Sequence, residues 1–292
     1  MMPSQGNRIR FQAMKRTRGI AILFLLLAGG IAPLMAQFRP DEIARRGEME
    51  TFLLTAEIVR SEPVGEGVTK PWRLTLRKDG AEDQAYWKNP SGMMNSFWEG
   101  WPYEIAAYRL DKLIGLDMVP VTVERDFQGK RGALSLRAEH RENFLKLLEE
   151  GVRVPDQARG PLEKMKWLTR AWDSLIANED RNQQNILLTE DWRTILIDHS
   201  RAFRSSREFT ERLMFGVEGI KRGADGRLLL FLRLPRRFYE RVKALTRESI
   251  KAAVGDTLTD KEIAAVLIRR GLLIKEIDTQ ILYKGEANVL YD

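Results

Sequence analysis

The sequence predicts an α+β fold in which a sheet-rich first half is followed by a mainly helical second half. From Glu57 to Lys88 the chain alternates apolar and polar residues in short pieces joined by Gly-containing links, as antiparallel strands do. Later, apolar residues recur at helical spacing over long stretches. The change of character lies near Leu136 to His140, so we expect two lobes, residues 37–138 and 139–292.

The first half predicts strands on both sides of one internal helix. The pieces "TAEIVRS", "WRLTLRK" and "QAYWK" have the pattern of neighbouring strands. The stretch from Tyr103 to Gly115 then has a broad apolar face at helical spacing, and Gly115 suits a C-terminal cap. The pieces "MVPVTVER" and "GALSLRA" return to strand.

The second half predicts long amphipathic helices. In "PLEKMKWLTRAWDSLIAN" the apolar residues form one stripe, and Pro161 is expected to start the helix. "FYERVKALTRESIKAAVG" and "TDKEIAAVLIRRGLLIKEIDTQI" follow, the latter opened by a capping signal at Thr259 and Glu262. The short apolar runs "NILL" and "TILI" interrupt this helical pattern.

The first 36 residues have the layout of a secretory signal. Basic residues precede the apolar stretch "GIAILFLLLAGGIAPLMA", and no acidic residue occurs before Asp41. We expect cleavage after Ala36 and an exported protein, periplasmic or secreted. An uncleaved membrane anchor is the alternative, although Gly29, Gly30 and Pro33 interrupt the apolar stretch near its end.

Composition excludes several classes of protein. The chain has 292 residues and ordinary apolar and charged fractions, so it is neither disordered nor fibrous. The formal charge is +7, but five of those charges lie in the signal, which leaves 7 − 5 = +2 and no indication of a nucleic-acid partner. The absence of cysteine excludes disulfides, thiolate metal sites and a cysteine nucleophile.

The richest candidate site lies in "NEDRNQQNILLTEDWRTILIDHSRAF", which starts at Asn178. If "ILL" and "TILI" pair as a hairpin, Asn185 and Asp198 flank its strands and are expected side by side. Their oxygen atoms suit Mg²⁺ or Mn²⁺ better than zinc. Asp180 would then orient or deprotonate an attacking hydroxyl. Asn and Asp also cap ordinary turns, and the hairpin with Asp198 favours the site over that alternative.

This D-x-x-x-x-N spacing, followed by strand, turn, strand and a second Asp, resembles the protein-kinase-like superfamily. The surrounding residues resemble its atypical branches: type II phosphatidylinositol 4-kinases, HipA kinases and, above all, FAM20-type secretory-pathway kinases. The resemblance implies a two-lobed protein-kinase-like fold with a sheet-rich N-lobe containing one helix and a mainly helical C-lobe. It implies ATP with Mg²⁺ or Mn²⁺, Asp180 as the catalytic residue, and Asn185 and Asp198 as metal ligands.

The resemblance also assigns residues in the first half. Lys88, at the end of a strand, would contact the nucleotide phosphates, and Glu104, in the first turn of the next helix, would hold Lys88 in place. Gly65 and Gly67, in "VGEGVTKP", would belong to a phosphate-covering loop. Backbone groups near Leu136 to Ala138 would pair with adenine. Taken singly, Lys88 is also compatible with a solvated strand end, Glu104 with a helix-dipole complement and the glycines with a turn.

Other features are compatible with ordinary structural roles. His199 lies between Asp198 and Ser200, but adjacent residues on an extended segment point different ways, which excludes a Ser-His-Asp relay among them. We expect a hydrogen-bonded loop histidine there. A crowd of aromatic residues, at positions 86, 87, 97, 98, 101 and 103, suggests either lobe packing or a platform for a glycan or peptide. The basic cluster in "RLPRRFYER" is expected to be a solvated face.

The sequence therefore favours an exported ATP-dependent phosphotransferase of atypical kinase type that acts on a hydroxyl. The acceptor can be a protein, a glycan, a lipid or a small molecule, and a membrane is involved if the N-terminal segment stays uncleaved. The alternative is a catalytically inactive kinase-fold protein that binds a ligand or serves as a scaffold in the cell envelope. Scarce ATP outside the cytoplasm favours this alternative, whereas the complete set of site residues favours the enzyme.

Overall fold

The computed structural model describes residues 38–65 and 70–292 of the chain. The predicted signal, residues 1–36, and Gly67 of the predicted phosphate-covering loop lie outside the described residues. Within the described residues, no helix has both the length and the apolar character needed to cross a membrane.

The predicted α+β class is confirmed. The first half contains every predicted strand and the predicted helix, and it adds two N-terminal helices and a small hairpin that the sequence patterns did not indicate. Its elements are α1 (Pro40–Ala44), α2 (Arg46–Thr55), β1 (Glu57–Pro63), β2 (Trp72–Lys78), β3 (Ala81–Lys88), β4 (Ser91–Met94), β5 (Phe97–Gly100), α3 (Pro102–Ile114), β6 (Thr122–Phe127) and β7 (Lys130–Leu136).

Five of these strands form one antiparallel sheet in the order β1-β2-β3-β7-β6. Alternate residues of β2 and β3 are buried, including Leu74, Leu76 and Trp87, as the period-two pattern predicts. Helix α3 packs on β6 and β7 through its apolar face. Gly115 ends α3 in the left-handed conformation (φ 61°), which is the predicted cap.

The second half is mainly helical, with short strands between the helices. Its elements are β8 (Glu142–Asn143), α4 (Phe144–Glu149), α5 (Asp156–Ile176), a 3₁₀ turn (Gln183–Asn185), β9 (Ile186–Leu188), β10 (Thr194–Leu196), α6 (Glu208–Glu211), β11 (Leu234–Pro235), α7 (Arg236–Lys243), α8 (Arg247–Val254), a second 3₁₀ turn (Gly255–Thr257), α9 (Asp260–Lys284), α10 (Glu286–Val289) and β12 (Leu290–Tyr291). Strands β8, β9 and β10 form a small antiparallel sheet.

One predicted helix start is wrong. Helix α5 begins at Asp156, five residues before Pro161, which lies inside the helix. Pro155, with an extended backbone, occupies the N-cap position instead. Pro161 is tolerated because it lies in the second turn, where its missing N–H removes a single early hydrogen bond. By contrast, the predicted capping box of α9 is present: the Thr259 Oγ1 accepts from the Glu262 N–H, and Glu262 accepts from the Thr259 N–H.

One continuous apolar core joins the sheet, α3 and the large helices α5 and α9. Trp172 of α5 is fully buried in it. A smaller apolar cluster of Ala138, Leu187 and Ile195 lies where the chain passes from β7 to the β8–β10 sheet. These two clusters fix the strands and helices from which the candidate site residues project.

Candidate functional site

Strand β3, the middle strand of the main sheet, ends at Lys88. Lys88 pairs with Ala133 of β7, and its side chain is 13% exposed. A Cβ atom at the neighbouring Gly132 would lie only 2.8 Å from the Lys88 carbonyl oxygen and 2.6 Å from the Trp87 ring. Only glycine therefore lets β7 approach β3 this closely beside Lys88.

Lys88 lies at the centre of a partly buried ion cluster. Its Nζ atom is 2.5 Å from Glu104 Oε1, which α3 supplies from its first turn, and 2.8 Å from Asp198 Oδ1, which follows β10. Lys88 and Asp198 are 110 positions apart in the chain. The structure thus brings together a strand, a helix and a loop that the sequence analysis assigned to one site.

The charges in this cluster hold one another in the ionised state. Burial disfavours the charged Lys88, but the carboxylates of Asp198 and Glu104 hold its pKa well above the usual range. Burial likewise disfavours the Glu104 carboxylate, yet the charge of Lys88 and hydrogen bonding by His199 hold its pKa well below the usual range. Lys88 is therefore a cation, and Glu104 an anion, at neutral pH.

Polar residues beneath the loop that carries Asp180 hold it in place through hydrogen bonds and an ion pair. The Asp180 N–H donates to Asn178 Oδ1 (3.2 Å), and Asn178 in turn donates to Asp173 Oδ1 (3.2 Å). Asp173 also forms an ion pair with Arg181 (3.1 Å). The Arg181 Nη1 donates to the carbonyl oxygens of Asn185 (2.9 Å) and Ile197 (2.7 Å). It therefore links the two strands at the open end of the β9–β10 hairpin.

The predicted hairpin is present, but its register differs from our expectation by one residue. Ile186 pairs with Leu196, and the Ile197 N–H donates to the Asn185 carbonyl (3.2 Å), so Asn185 lies opposite Ile197 rather than Asp198. The ladder ends there because Asp198 adopts the left-handed conformation (φ 58°). This turn directs the Asp198 carboxylate to Lys88 instead of leaving it on the hairpin face.

His199 is fully buried and hydrogen-bonded, as expected for a structural loop histidine. Its Nε2 atom faces two donors, Trp172 Nε1 (3.5 Å) and Arg181 Nη2 (3.0 Å), so Nε2 is the acceptor and the proton lies on Nδ1, 3.8 Å from Glu104 Oε2. Burial lowers its pKa, and Arg181 adds to this effect. The His199 backbone N–H also donates to Glu104 (3.0 Å). His199 therefore positions Glu104 as a neutral side chain.

Asp180 lies at the more open edge of the site. Its side chain is 38% exposed, and its Oδ1 atom is 3.4 Å from Arg201 Nη1. Partial burial raises the pKa of Asp180; Arg201 opposes this shift, and the charges of Asp198 and Glu99 add to it. The environment therefore favours a carboxylate that takes up a proton more readily than a free aspartate.

Sequence reasoning missed Glu99, which anchors the β4–β5 hairpin to the segment after Asp198. Glu99 is 2% exposed, accepts a short hydrogen bond from Ser200 Oγ and pairs with Arg201 Nε (2.6 Å). The Gly100 N–H donates to the Ser200 carbonyl (2.9 Å). Asp173 and Arg181 were missed as well. An acidic residue within the buried apolar stripe of α5 was the available signal for Asp173, whereas Glu99 and Arg181 carry no local signal.

Asn185 and Asp198 carry oxygen atoms of the type that hard divalent cations prefer. Asp198 Oδ1 accepts from Lys88, and Asn185 Nδ2 donates to the Asp180 carbonyl. This leaves Asp198 Oδ2 and Asn185 Oδ1 without a hydrogen-bond donor among residues 38–65 and 70–292. Those same ranges contain no cluster of three or more His, Asp or Glu side chains suited to a metal. Mg²⁺ accepts few protein ligands when phosphate oxygens supply others.

Two predicted nucleotide-binding features, the glycine loop and the backbone of residues 136–138, have surroundings that differ from those we expected. Gly65 is exposed in the link between β1 and β2, and a Cβ atom there would contact nothing within 4 Å, so packing does not demand glycine at that position. The N–H groups of Leu136 and Arg137 are already bonded to Val121 (2.8 Å) and Gln84 (2.9 Å). They cannot pair with adenine, because each backbone N–H is a single donor.

The aromatic and basic clusters have mainly structural contacts. Trp87 is buried and packs edge-on against Phe127 (5.3 Å), whereas Phe97 (43% exposed) and Trp98 (47% exposed) remain on the surface of β5. In the basic cluster Arg236 pairs with Glu286 and with Asp292 (3.0 Å). The cluster is therefore partly neutralised by the C-terminal residues.

Comparisons with known proteins add no family assignment. No protein-family model matches the chain, and no curated protein matches it. The arrangement of Lys88, Glu104, Asp180, Asn185 and Asp198 is consequently the main guide to function.

Proposed function

We propose that this protein is an exported ATP-dependent phosphotransferase of atypical kinase type with a two-lobed kinase-like fold. The observation that carries the proposal is the contact of Lys88 Nζ with both Glu104 (2.5 Å) and Asp198 (2.8 Å). A strand lysine paired with a helix glutamate, beside an aspartate that follows a hairpin, resembles the arrangement with which kinases hold nucleotide phosphates next to a metal.

Each residue has a role that follows from its surroundings. Lys88, steadied by Glu104, donates to phosphate oxygens of ATP as a fixed cation. Asn185 and Asp198 would hold Mg²⁺ or Mn²⁺, which neutralises charge on the phosphates. Of residues 136–138, Ala138 keeps an N–H that donates to no described backbone oxygen, and it is our candidate for pairing with adenine.

Asp180 acts on the acceptor. Its carboxylate orients the acceptor hydroxyl and takes the hydroxyl proton while the new bond from oxygen to the γ-phosphorus forms and the bond to ADP breaks. Its raised pKa helps it to accept this proton. Arg201, 3.4 Å away, holds the carboxylate in place. Catalysis then consists mainly of positioning and charge neutralisation.

Location and partners follow from the sequence. We propose that residues 1–36 direct export and that the described part acts in the periplasm or outside the cell. An uncleaved N-terminus would hold it at the membrane. The acceptor carries a hydroxyl group, and the small net charge of +2 after removal of the signal gives no reason to expect a nucleic acid.

A kinase-fold protein without transferase activity is the second candidate. It is favoured by the fact that protein cations engage both acidic residues, Asp198 through Lys88 and Asp180 through Arg201. Such pairs would serve as structural contacts if no nucleotide entered the site. The two candidates differ in whether ATP and a metal bind and react.

The test uses the full chain with labelled ATP and either Mg²⁺ or Mn²⁺, and it compares the wild type with Asp198→Asn. We expect metal-dependent ATP hydrolysis or transfer and a nucleotide-dependent rise in melting temperature. Asp198→Asn should lower the metal-dependent rate by roughly a hundredfold or more, because it removes a charged ligand next to the phosphates.

Asp225→Asn is the matched control, since Asp225 pairs with Arg227 (3.0 Å) on an exposed part of the surface. It should leave both activity and nucleotide binding unchanged. Nucleotide binding without turnover in the wild type would favour the inactive candidate. The absence of both binding and turnover with either metal would rule out the phosphotransferase.

A further inference from the structure

A groove runs along one face of helix α5, on the side of the β9–β10 hairpin. Its volume is about 730 Å³, which lies in the range of small-molecule sites. The opposite wall comes from α4, from the loop before β9 and from the segment that follows α6. The lining includes Leu162, Met165, Ile186, Leu188, Phe215 and Leu229.

The floor of this groove is apolar and well packed. Met165 (3% exposed), Leu188 (1%) and Phe215 (6%) are buried beneath it. Leu162 and Ile186 are partly buried and keep apolar surface towards the groove. Such a surface favours a ligand with a hydrocarbon part, since removing apolar area from water is the main gain on binding.

A single uncompensated cation, Arg170, lies among these apolar residues. It is partly buried, its Nη1 donates to the Leu230 carbonyl (2.8 Å), and its guanidinium is 5.9 Å from the centre of the Phe215 ring. No carboxylate within the described ranges lies at ion-pair distance from it. Burial and the charge of Arg227 lower its pKa.

The other cations of the groove are already paired, which distinguishes Arg170. Arg159 pairs with Asp156 (3.2 Å) and Lys166 with Glu163 (3.4 Å). Arg181, at the inner end, pairs with Asp173 (3.1 Å). The Nε and Nη2 edge of Arg170 carries no described hydrogen bond, and such an edge binds a carboxylate through two parallel N–H···O contacts.

We propose that this groove binds a single-chain amphiphile with a carboxylate head, such as a long-chain fatty acid. The head lies on the Nε and Nη2 edge of Arg170, and the chain lies along Met165, Leu188 and Phe215. The unpaired Arg170 would pair with the single negative charge of the carboxylate head. The hydrocarbon chain would cover the apolar residues along the groove. The groove shares Asp173 and Arg181 with the support of the Asp180 loop, but the proposal does not rest on the proposed phosphotransfer function.

The experiment measures binding of dodecanoate to the full chain by calorimetry below the micelle concentration, with 1-dodecanol and acetate as further probes. We expect saturable binding of dodecanoate and much weaker binding of dodecanol, which lacks the charge, and of acetate, which lacks the chain. Arg170→Gln should weaken dodecanoate binding about tenfold or more, because it removes the charged partner. Leu162→Trp should weaken dodecanoate binding clearly, because the larger side chain occupies part of the groove while Arg170 is retained.

Arg247→Gln is the matched control, since Arg247 is an exposed cation that pairs with Asp260 (3.0 Å) away from the groove. It should bind dodecanoate like the wild type. Equal affinity for dodecanol and dodecanoate would overturn the proposal. Unchanged affinity in folded Leu162→Trp would also overturn it, because dodecanoate would then bind at other apolar residues. Binding of an amphipathic helical peptide without any binding of dodecanoate would overturn it too.

Discussion

Among single residues, Glu104 is a buried carboxylate whose charge depends on its partners in the site. It is 4% exposed, contacts Lys88 at 2.5 Å and accepts from the His199 N–H at 3.0 Å. Without its charge, Lys88 would remain buried with Asp198 as its one remaining carboxylate partner. Removing one member of a buried ion pair is costly, because the other charge cannot regain its water.

We therefore expect Glu104→Gln to lower the free energy of unfolding by about 3 kcal/mol at pH 7. The folded-state pKa of Glu104 lies below its unfolded value of about 4.5, so this contribution is fully present above pH 4.5 and is lost as the pH falls through the folded-state pKa. Urea unfolding of wild type and variant at pH 7 and at pH 3.5 tests this: the difference between them should shrink at the lower pH.

Glu82→Gln serves as the control, since Glu82 pairs with Arg77 on an exposed part of the sheet. An exposed pair contributes little, and this variant should match the wild type. If Glu104→Gln were as stable as Glu82→Gln at neutral pH, the ion cluster would not be the stabilising contact we describe.

At the level of secondary-structure elements, the β4–β5 hairpin is one of the additions that sequence patterns did not predict, and it lies next to the site. It lies between the strand of Lys88 and the helix of Glu104, and it carries exposed Phe97 and Trp98 beside the site. Glu99 attaches it to Ser200 and Arg201, and Arg201 reaches Asp180. The hairpin therefore couples the sheet to the segment that follows Asp198.

We expect Glu99→Gln to loosen this attachment without unfolding the protein. A hydrogen bond to a charged group contributes about 1.5–3 kcal/mol, so local opening should become roughly tenfold or more frequent. Hydrogen–deuterium exchange should rise in residues 91–100 and 198–204 and stay unchanged in α9. Glu124→Gln, which affects an exposed pair with Arg131, is the control. Uniformly faster exchange across the chain would contradict a local role for Glu99.

At the scale of the whole molecule, Arg269 of α9 ties distant parts of the chain together. It is fully buried, and its Nε donates to the Leu175 carbonyl (2.8 Å) at the end of α5. Its Nη1 donates to the carbonyl oxygens of Arg204 (2.7 Å) and Phe209 (3.2 Å), which follow the site residues. One guanidinium thus satisfies carbonyl oxygens at the end of α5 and in the segment that follows the site residues.

We expect Arg269→Met to lower the stability by about 3 kcal/mol, because three buried carbonyl contacts are lost while an apolar side chain of similar length keeps the packing. In a chain of this size the melting temperature should fall by roughly 6–12 °C. Arg207→Met, at a side chain that is 87% exposed, should change it little. A thermal unfolding series checks both values, and equal melting temperatures would show that the Arg269 contacts contribute nothing net.

Features that depend only on neighbouring residues could be predicted from the sequence. Alternating burial in β2 and β3, the apolar face of α3, its Gly115 end and the capping box at Thr259 all follow from local spacing and backbone preference. Local pattern was insufficient at Pro161, because a proline near a helix start is compatible with either of two boundaries.

The meeting of the site residues depends on contacts between distant parts of the chain, which the sequence patterns could not predict. Lys88 and Asp198 are 110 positions apart, and the attachment of Glu99 to Ser200 spans 101 positions. No periodicity extends over such distances, because it reports which face of one element is buried and not which element covers it. The left-handed turn at Asp198, which shifts it past Asn185 and directs it to Lys88, likewise depends on these long-range contacts.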